Sequence, residues 1–156
     1  MASVVTEHVI LLIPVFFVMM IFALVANAVV ANYATQQRAI IIEGAENQLT
    51  TTISQLYYTM SQSDIQNTIV TKTVPLPENI DGQDYTVNGT LVGSVLTLTF
   101  SFPGIPLSDN TVVNLGPRVE WVSSSFFLST NEKSVIKVEK YYNPAVGDVM
   151  VKLGFG

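Results

Sequence analysis

From Val9 to Ala31 the chain carries no charged residue, and only Pro14 and Asn27 interrupt an apolar run. A helix over this stretch rises about 1.5 Å per residue and reaches roughly 34 Å, the thickness of a bilayer's hydrocarbon core. An α-helix that is apolar on every side has no face to turn toward water, so it needs lipid or other apolar helices around it. The charge-free interval is wider still, from Glu7 to Arg38. No Lys or Arg stands ahead of it, so it reads poorly as a secretory signal, which opens on a basic segment.

The helical pattern does not end where a membrane would. Ile42, Ala45, Leu49, Ile53, Leu56 and Met60 are spaced three or four apart and share one stripe of a continuing helix. Glu43, Glu46, Asn47, Ser54 and Gln55 occupy the other side. The spacing therefore predicts one helix over roughly residues 4–64, apolar all round at 9–31 and amphipathic at 33–63. Its length would be about 90 Å, far more than one anchor requires. Pro14, without an N–H, is expected to kink or locally unwind it, and Gly44 to mark a bend. Glu7 and His8 stand at the head, where a carboxylate interacts favourably with the helix macrodipole.

Beyond Ser63 the period changes to two. In VLTLTFSFP, Leu96, Leu98, Phe100 and Phe102 alternate with Thr97, Thr99 and Ser101. GDVMVKLGFG and SVIKVEKYY repeat the device, which is that of half-buried antiparallel strands. Turn residues at 75–79, Asn88-Gly89, 103–106, 108–110, Gly116-Pro117, Asn131 and 143–148 separate about seven strands. Asn88-Gly89 reads as a two-residue hairpin turn, because both central positions of such a turn favour positive φ. The expected fold is thus α+β: a long N-terminal helix over residues 1–65, then a seven-stranded antiparallel β-sandwich of immunoglobulin-like type over residues 66–156. Trp121 is expected in its core.

Composition removes several classes of function. Charged residues make up 12% of the chain and the formal net charge is −5. Seven scattered basic residues cannot neutralise a run of phosphates, so no nucleic-acid partner is expected. There is no cysteine, which excludes disulfides and thiolate chemistry. The single histidine, His8, lies in the apolar helix, and Ser123-Ser124-Ser125 has no base to activate it. Glu78, Asp81 and Asp84 lie close together in PENIDGQDY but lack the spacing and closing Glu of a calcium loop, so they read as a polar turn. Phosphate-cradling glycine motifs are missing. No catalytic residue, cofactor or metal is expected. Asn88-Gly89-Thr90 is a sequon, which makes Asn88 a candidate for N-glycosylation if the β-rich part is extracellular.

The opening SVVTEHVILLI, followed by an amphipathic continuation and a β-rich head, resembles the archaeal type IV pilin superfamily, which includes the archaellins. In that family a Glu stands fifth in the mature chain; counting Ser3 as first, Glu7 takes that place. The resemblance implies a structural filament subunit for adhesion or motility, with bundled helices inside and β heads outside. Leu12, Pro14, Phe16, Phe17, Ile21, Phe22 and Leu24 would then pack the filament core. The implied partners are copies of the same chain, the membrane before assembly and a pilus assembly machinery; the implied location is the cell surface. The same opening also looks like archaellum stator-type proteins, which join a membrane helix to an immunoglobulin-like domain.

Overall fold

The structure, a computed structural model, describes the chain except Met1, Gln66, residues 105–107, Ser124 and residues 131–133, and describes residues 2–11 by their helical backbone only. One helix, α1, runs unbroken from Ala2–Gln62, through both Pro14 and Gly44. Eight strands follow among the described residues: β1 Thr68–Thr73, β2 Thr86–Val92, β3 Val95–Ser101, β4 Ser108–Asn114, β5 Val119–Trp121, β6 Phe126–Leu128, β7 Val135–Asn143 and β8 Asp148–Phe155. The chain divides into two compact units, Met1–Ala39 and Ile40–Gly156. The sequence suggests a boundary near residue 65, at the end of the helix; the compact units part inside it.

In the second unit the strands form two four-stranded sheets, ordered β1-β7-β8-β5 and β4-β3-β2-β6. The sequence pattern suggests seven antiparallel strands, and the difference lies in the short ones. β5 and β6 have three residues each, and β5 runs parallel to β8, with Val119 opposite Val151 and Trp121 opposite Leu153. Three residues are too few for alternation to be read, and a parallel partner distant in sequence leaves no hairpin signal. The expected turn at 108–110 also proves to be strand, since Ser108, Asp109 and Asn110 pair with Ser101, Phe100 and Thr99.

The sheets meet along one side, where β5 lies against β2 and β6 against β8. The other side, between the edge strands β1 and β4, receives the amphipathic half of α1. All six residues of the predicted stripe, Ile42 through Met60, are buried, and Leu49 and Ile53 are fully enclosed. They share one core with Leu96, Leu98, Phe100, Ile136, Val138 and Leu153 from the strands. Two polar contacts fix this helix half. Tyr57 Oη donates to the Pro117 carbonyl at 2.9 Å, passing over Gly116, where a Cβ would come within 2.4 Å of that oxygen. Lys140, buried on the inner face of β7, donates through Nζ to the carbonyl of Ser63 and, at 3.5 Å, to that of Ser61. A cation there satisfies carbonyls that have no partner inside the helix and faces the negative end of its dipole.

Asn88 and Gly89 do not form a hairpin turn. Both sit within β2, opposite Thr99 and Leu98, and the β2–β3 turn is Gly93-Ser94, flanked by the pair Val92–Val95. Gly93 has φ of 62°, the conformation required at the first central position of a type II′ turn. Gly89 is there for another reason. A Cβ on it would lie 2.3 Å from Cε2 of Trp121, whose indole covers the glycine and meets Phe155 edge-on at 5.4 Å. On the same side of the core Tyr85 is fully buried, stacks on Phe100 at 6.0 Å and donates to the Pro77 carbonyl at 2.7 Å.

Gly89→Ala should therefore force the indole aside and destabilise the β unit by about 1–3 kcal/mol, read as a fall in the denaturant midpoint and a change in Trp121 fluorescence. Lys140→Met, which keeps the stem and removes the donor, should cost about 1.5–3 kcal/mol and speed amide exchange in the last turn of α1.

Candidate assembly surface

Within the first unit the helix presents apolar side chains in every direction. Every large apolar residue from Leu12 to Val30 is more than half exposed, with Phe22 at 75%, Phe16 at 70% and Met19 at 68%. Of the residues assigned to packing, Leu12, Phe16, Phe17, Ile21, Phe22 and Leu24 all belong to this surface. Pro14 lies inside the helix, which continues through it; with no N–H at Pro14, the carbonyl of Ile10 loses its usual intrahelical donor. Glu7 and His8 fall in the helix by backbone, and their side chains lie outside the described residues.

The stretch is long and apolar enough to cross a membrane, with a mean hydropathy of 2.6 over its most apolar window and none of that window buried. Its end is marked by side chains that satisfy themselves locally. Gln37 Nε2 donates to Tyr33 Oη at 3.0 Å, and Thr35 Oγ1 donates to the Ala31 carbonyl at 3.0 Å.

In the second unit two features of the surface are distinctive. The outer face of the β4-β3-β2 layers is uncharged around Asn88: the register sets Asn88 beside Thr99, which in turn faces Asn110, and Thr90 beside Thr97. Asn88 is exposed on this face, between β3 and β6, rather than at a hairpin tip. The second is a local acidic cluster. Glu46 lies on the helix near Asp109 of β4 and Glu43, and its enclosed Oε1 accepts no hydrogen bond from the described residues. Burial, then the charges of Asp109 and Glu43, raise the Glu46 carboxyl above its ordinary value. The segment around Glu78, Asp81 and Asp84 folds as a tight turn, with Ile80 bridged to Gln83 and the Gly82 amide donating to Asn79 Oδ1 at 3.3 Å.

The pH dependence of Glu46 has a definite sign. Because the folded state holds its proton more firmly than the unfolded state, ionisation opposes folding, and the penalty grows as pH rises above about 4.5. Glu46→Gln should thus raise the melting temperature of the detergent-solubilised chain at pH 7 and leave it unchanged at pH 3.5; melts of both forms at both pH values check this.

The sequence pattern names the apolar surface well, because its length and lack of charge suffice. It does not single out Lys140, since the alternation of β7 assigns that position to an apolar face. Nor does it reveal the tie between Gly89 and Trp121, which are distant in the chain. Comparison of the chain with protein-family models, with curated proteins and with solved structures gave no match.

Proposed function

We propose that this chain is the structural subunit of an extracellular pilus-like filament, in which the apolar helix halves bundle as the core and the β units form the outer surface, serving adhesion or motility. The observation that carries the reading is the all-round exposure of the apolar side chains from Leu12 to Val30, on a helix that continues without a break into the core of a β unit. A membrane tether needs only the apolar stretch and works through any flexible linker. A filament subunit needs the helix to run directly into the head, and α1 has no Gly- or Pro-rich linker between Leu12 and Gln62.

Magnitude favours a polymer that persists once formed. Each large apolar side chain is worth roughly 1.5–3 kcal/mol when withdrawn from water, so the surface from Leu12 to Val30 represents tens of kcal/mol as an upper bound. Even a fraction of that exceeds ordinary non-covalent affinities, so escape of a subunit into water would be negligible. Transfer from lipid to a helix bundle gains little hydrophobic energy, because lipid is itself apolar. The membrane is thus the natural store for unassembled copies, and assembly machinery would supply the work of extraction.

The same stretch supports a second reading, a membrane-anchored stator-type protein, because its length matches the hydrocarbon core. Shearing of cells separates the two. Thin filaments composed of this chain are expected, and Leu12→Asp should abolish them while the β unit stays folded by circular dichroism. Recovery only from the membrane fraction, as single copies freed by detergent, would establish the anchor instead.

A further inference from the structure

Asn27 is the one side chain between Val9 and Ala31 that carries both a hydrogen-bond donor and an acceptor. It is exposed and makes no side-chain hydrogen bond among the described residues, unlike Tyr33, Gln37 and Thr35 just beyond the apolar run. Four residues separate it from Asn32, where polar residues resume, a rise of about 7.5 Å along the helix. A side chain as short as asparagine cannot reach across that distance to water. In lipid or in a helix bundle its amide is therefore left with unmet hydrogen bonds, a cost of a few kcal/mol unless a partner comes to it.

The neighbouring side chains determine which partner can approach. On the face of Asn27, Ala23 and Leu24 stand one turn before it and Val30 and Ala31 one turn after, so that one side of the amide is lined by alanines, continued by Ala34, and the other by larger side chains; all of them are exposed. On the alanine side a second helix can come close enough for so short a side chain to bridge the gap. The amide is complementary to itself, since its NH₂ group donates and its carbonyl accepts. A second copy, approaching along the same face, brings the matching group.

We infer that Asn27 is the residue through which the apolar helices of neighbouring copies of this chain recognise and register one another, its amide hydrogen-bonding the facing Asn27 or a backbone carbonyl beside it. This deepens the filament reading and rests on its side-by-side helices, although the contact would form equally between copies in a bilayer. A wholly apolar surface attracts any apolar neighbour without fixing its position. One polar pair inside such a surface fixes register, because sliding past it leaves both amides unpaired.

The test uses the full chain, labelled for energy transfer between copies, in phosphatidylcholine vesicles over a range of protein-to-lipid ratios. The wild type is expected to associate; Asn27→Leu should weaken association about 3- to 30-fold with helix content unchanged. Asn27→Gln, which keeps the amide, should retain most of it, and Ala31→Leu, which bulks the flank, should weaken it. Association of Asn27→Leu equal to that of the wild type, or a wild type that stays monomeric at every ratio, would overturn the inference. The filament reading is judged separately. Filaments sheared from cells together with Asn27-independent association would sink this inference alone. Asn27-dependent association without filaments would uphold it and sink the filament.

Discussion

The β unit depends on the helix that enters it. Its sheets touch through β5 and β2, and through β6 and β8, while the side bounded by β1 and β4 has no strand among the described residues to close it. Leu49, Ile53, Leu56 and Met60 supply the apolar side chains there, and Leu49 and Ile53 are as enclosed as any strand residue. A set of strands alone would expose the inner faces of both sheets along that side. The contact reaches both edges: Lys72 of β1 donates to Gln55 at 3.4 Å, and a groove beside β4 is lined by Thr50, Ser54 and Tyr58 from α1 with Val112 and Asn114 from the strand.

This dependence explains the devices at the end of α1. A helix that completes a core must stop at a defined place, yet its last turn carries no basic residue of its own. The cation comes from β7, where Lys140 continues the inward sequence of Ile136 and Val138. Burying a lysine is costly unless its donors are used, and here the carbonyls of Ser61, in the last turn, and Ser63, just beyond it, accept them. Tyr57 and Gly116 do the same for the neighbouring turn, the glycine leaving room for the phenol to reach a backbone oxygen. Long-range polar contacts thus add to the local ones at the helix end, where Ser61 Oγ donates to the Tyr58 carbonyl at 2.9 Å and the Ser63 amide to the Thr59 carbonyl at 3.2 Å.

How far the fold is legible in the sequence depends on where each signal lies. The buried stripe Ile42–Met60 is legible because a 3.6-residue period sustained over five turns hardly arises except on one face of a helix. The faces of β3, β7 and β8 are legible from strict alternation. Asn88-Gly89 misleads because the same dipeptide favours hairpin turns by backbone conformation and is needed here by the bulk of Trp121, a residue 32 positions further on. The parallel pair β5–β8 and the inward Lys140 are likewise set by distant partners. Of the assembly surface, the need for an apolar environment is plain in the sequence. The role we infer for Asn27 emerges only once its flanking alanines, its exposure and the local hydrogen bonds of Thr35 and Gln37 beyond it are compared.

The two stretches of α1 differ in what remains for them to gain. Between Ile42 and Met60 the apolar side chains are already covered within one copy, so association has little further burial to offer them. Between Leu12 and Val30 more than half of each large apolar side chain's burial is outstanding. Substitutions should sort accordingly: an apolar-to-polar change in the first set acts on folding, and the same change in the second acts on where the chain resides and with what it associates. A helix that were amphipathic throughout could cover its apolar stripe on one head and would leave nothing for lipid or another helix to bury. An apolar half with no polar exception would associate without register. The sequence holds an apolar length that needs lipid or other apolar helices around it and a single amide within it; in the filament we propose, the first would draw copies together and the second would set their register.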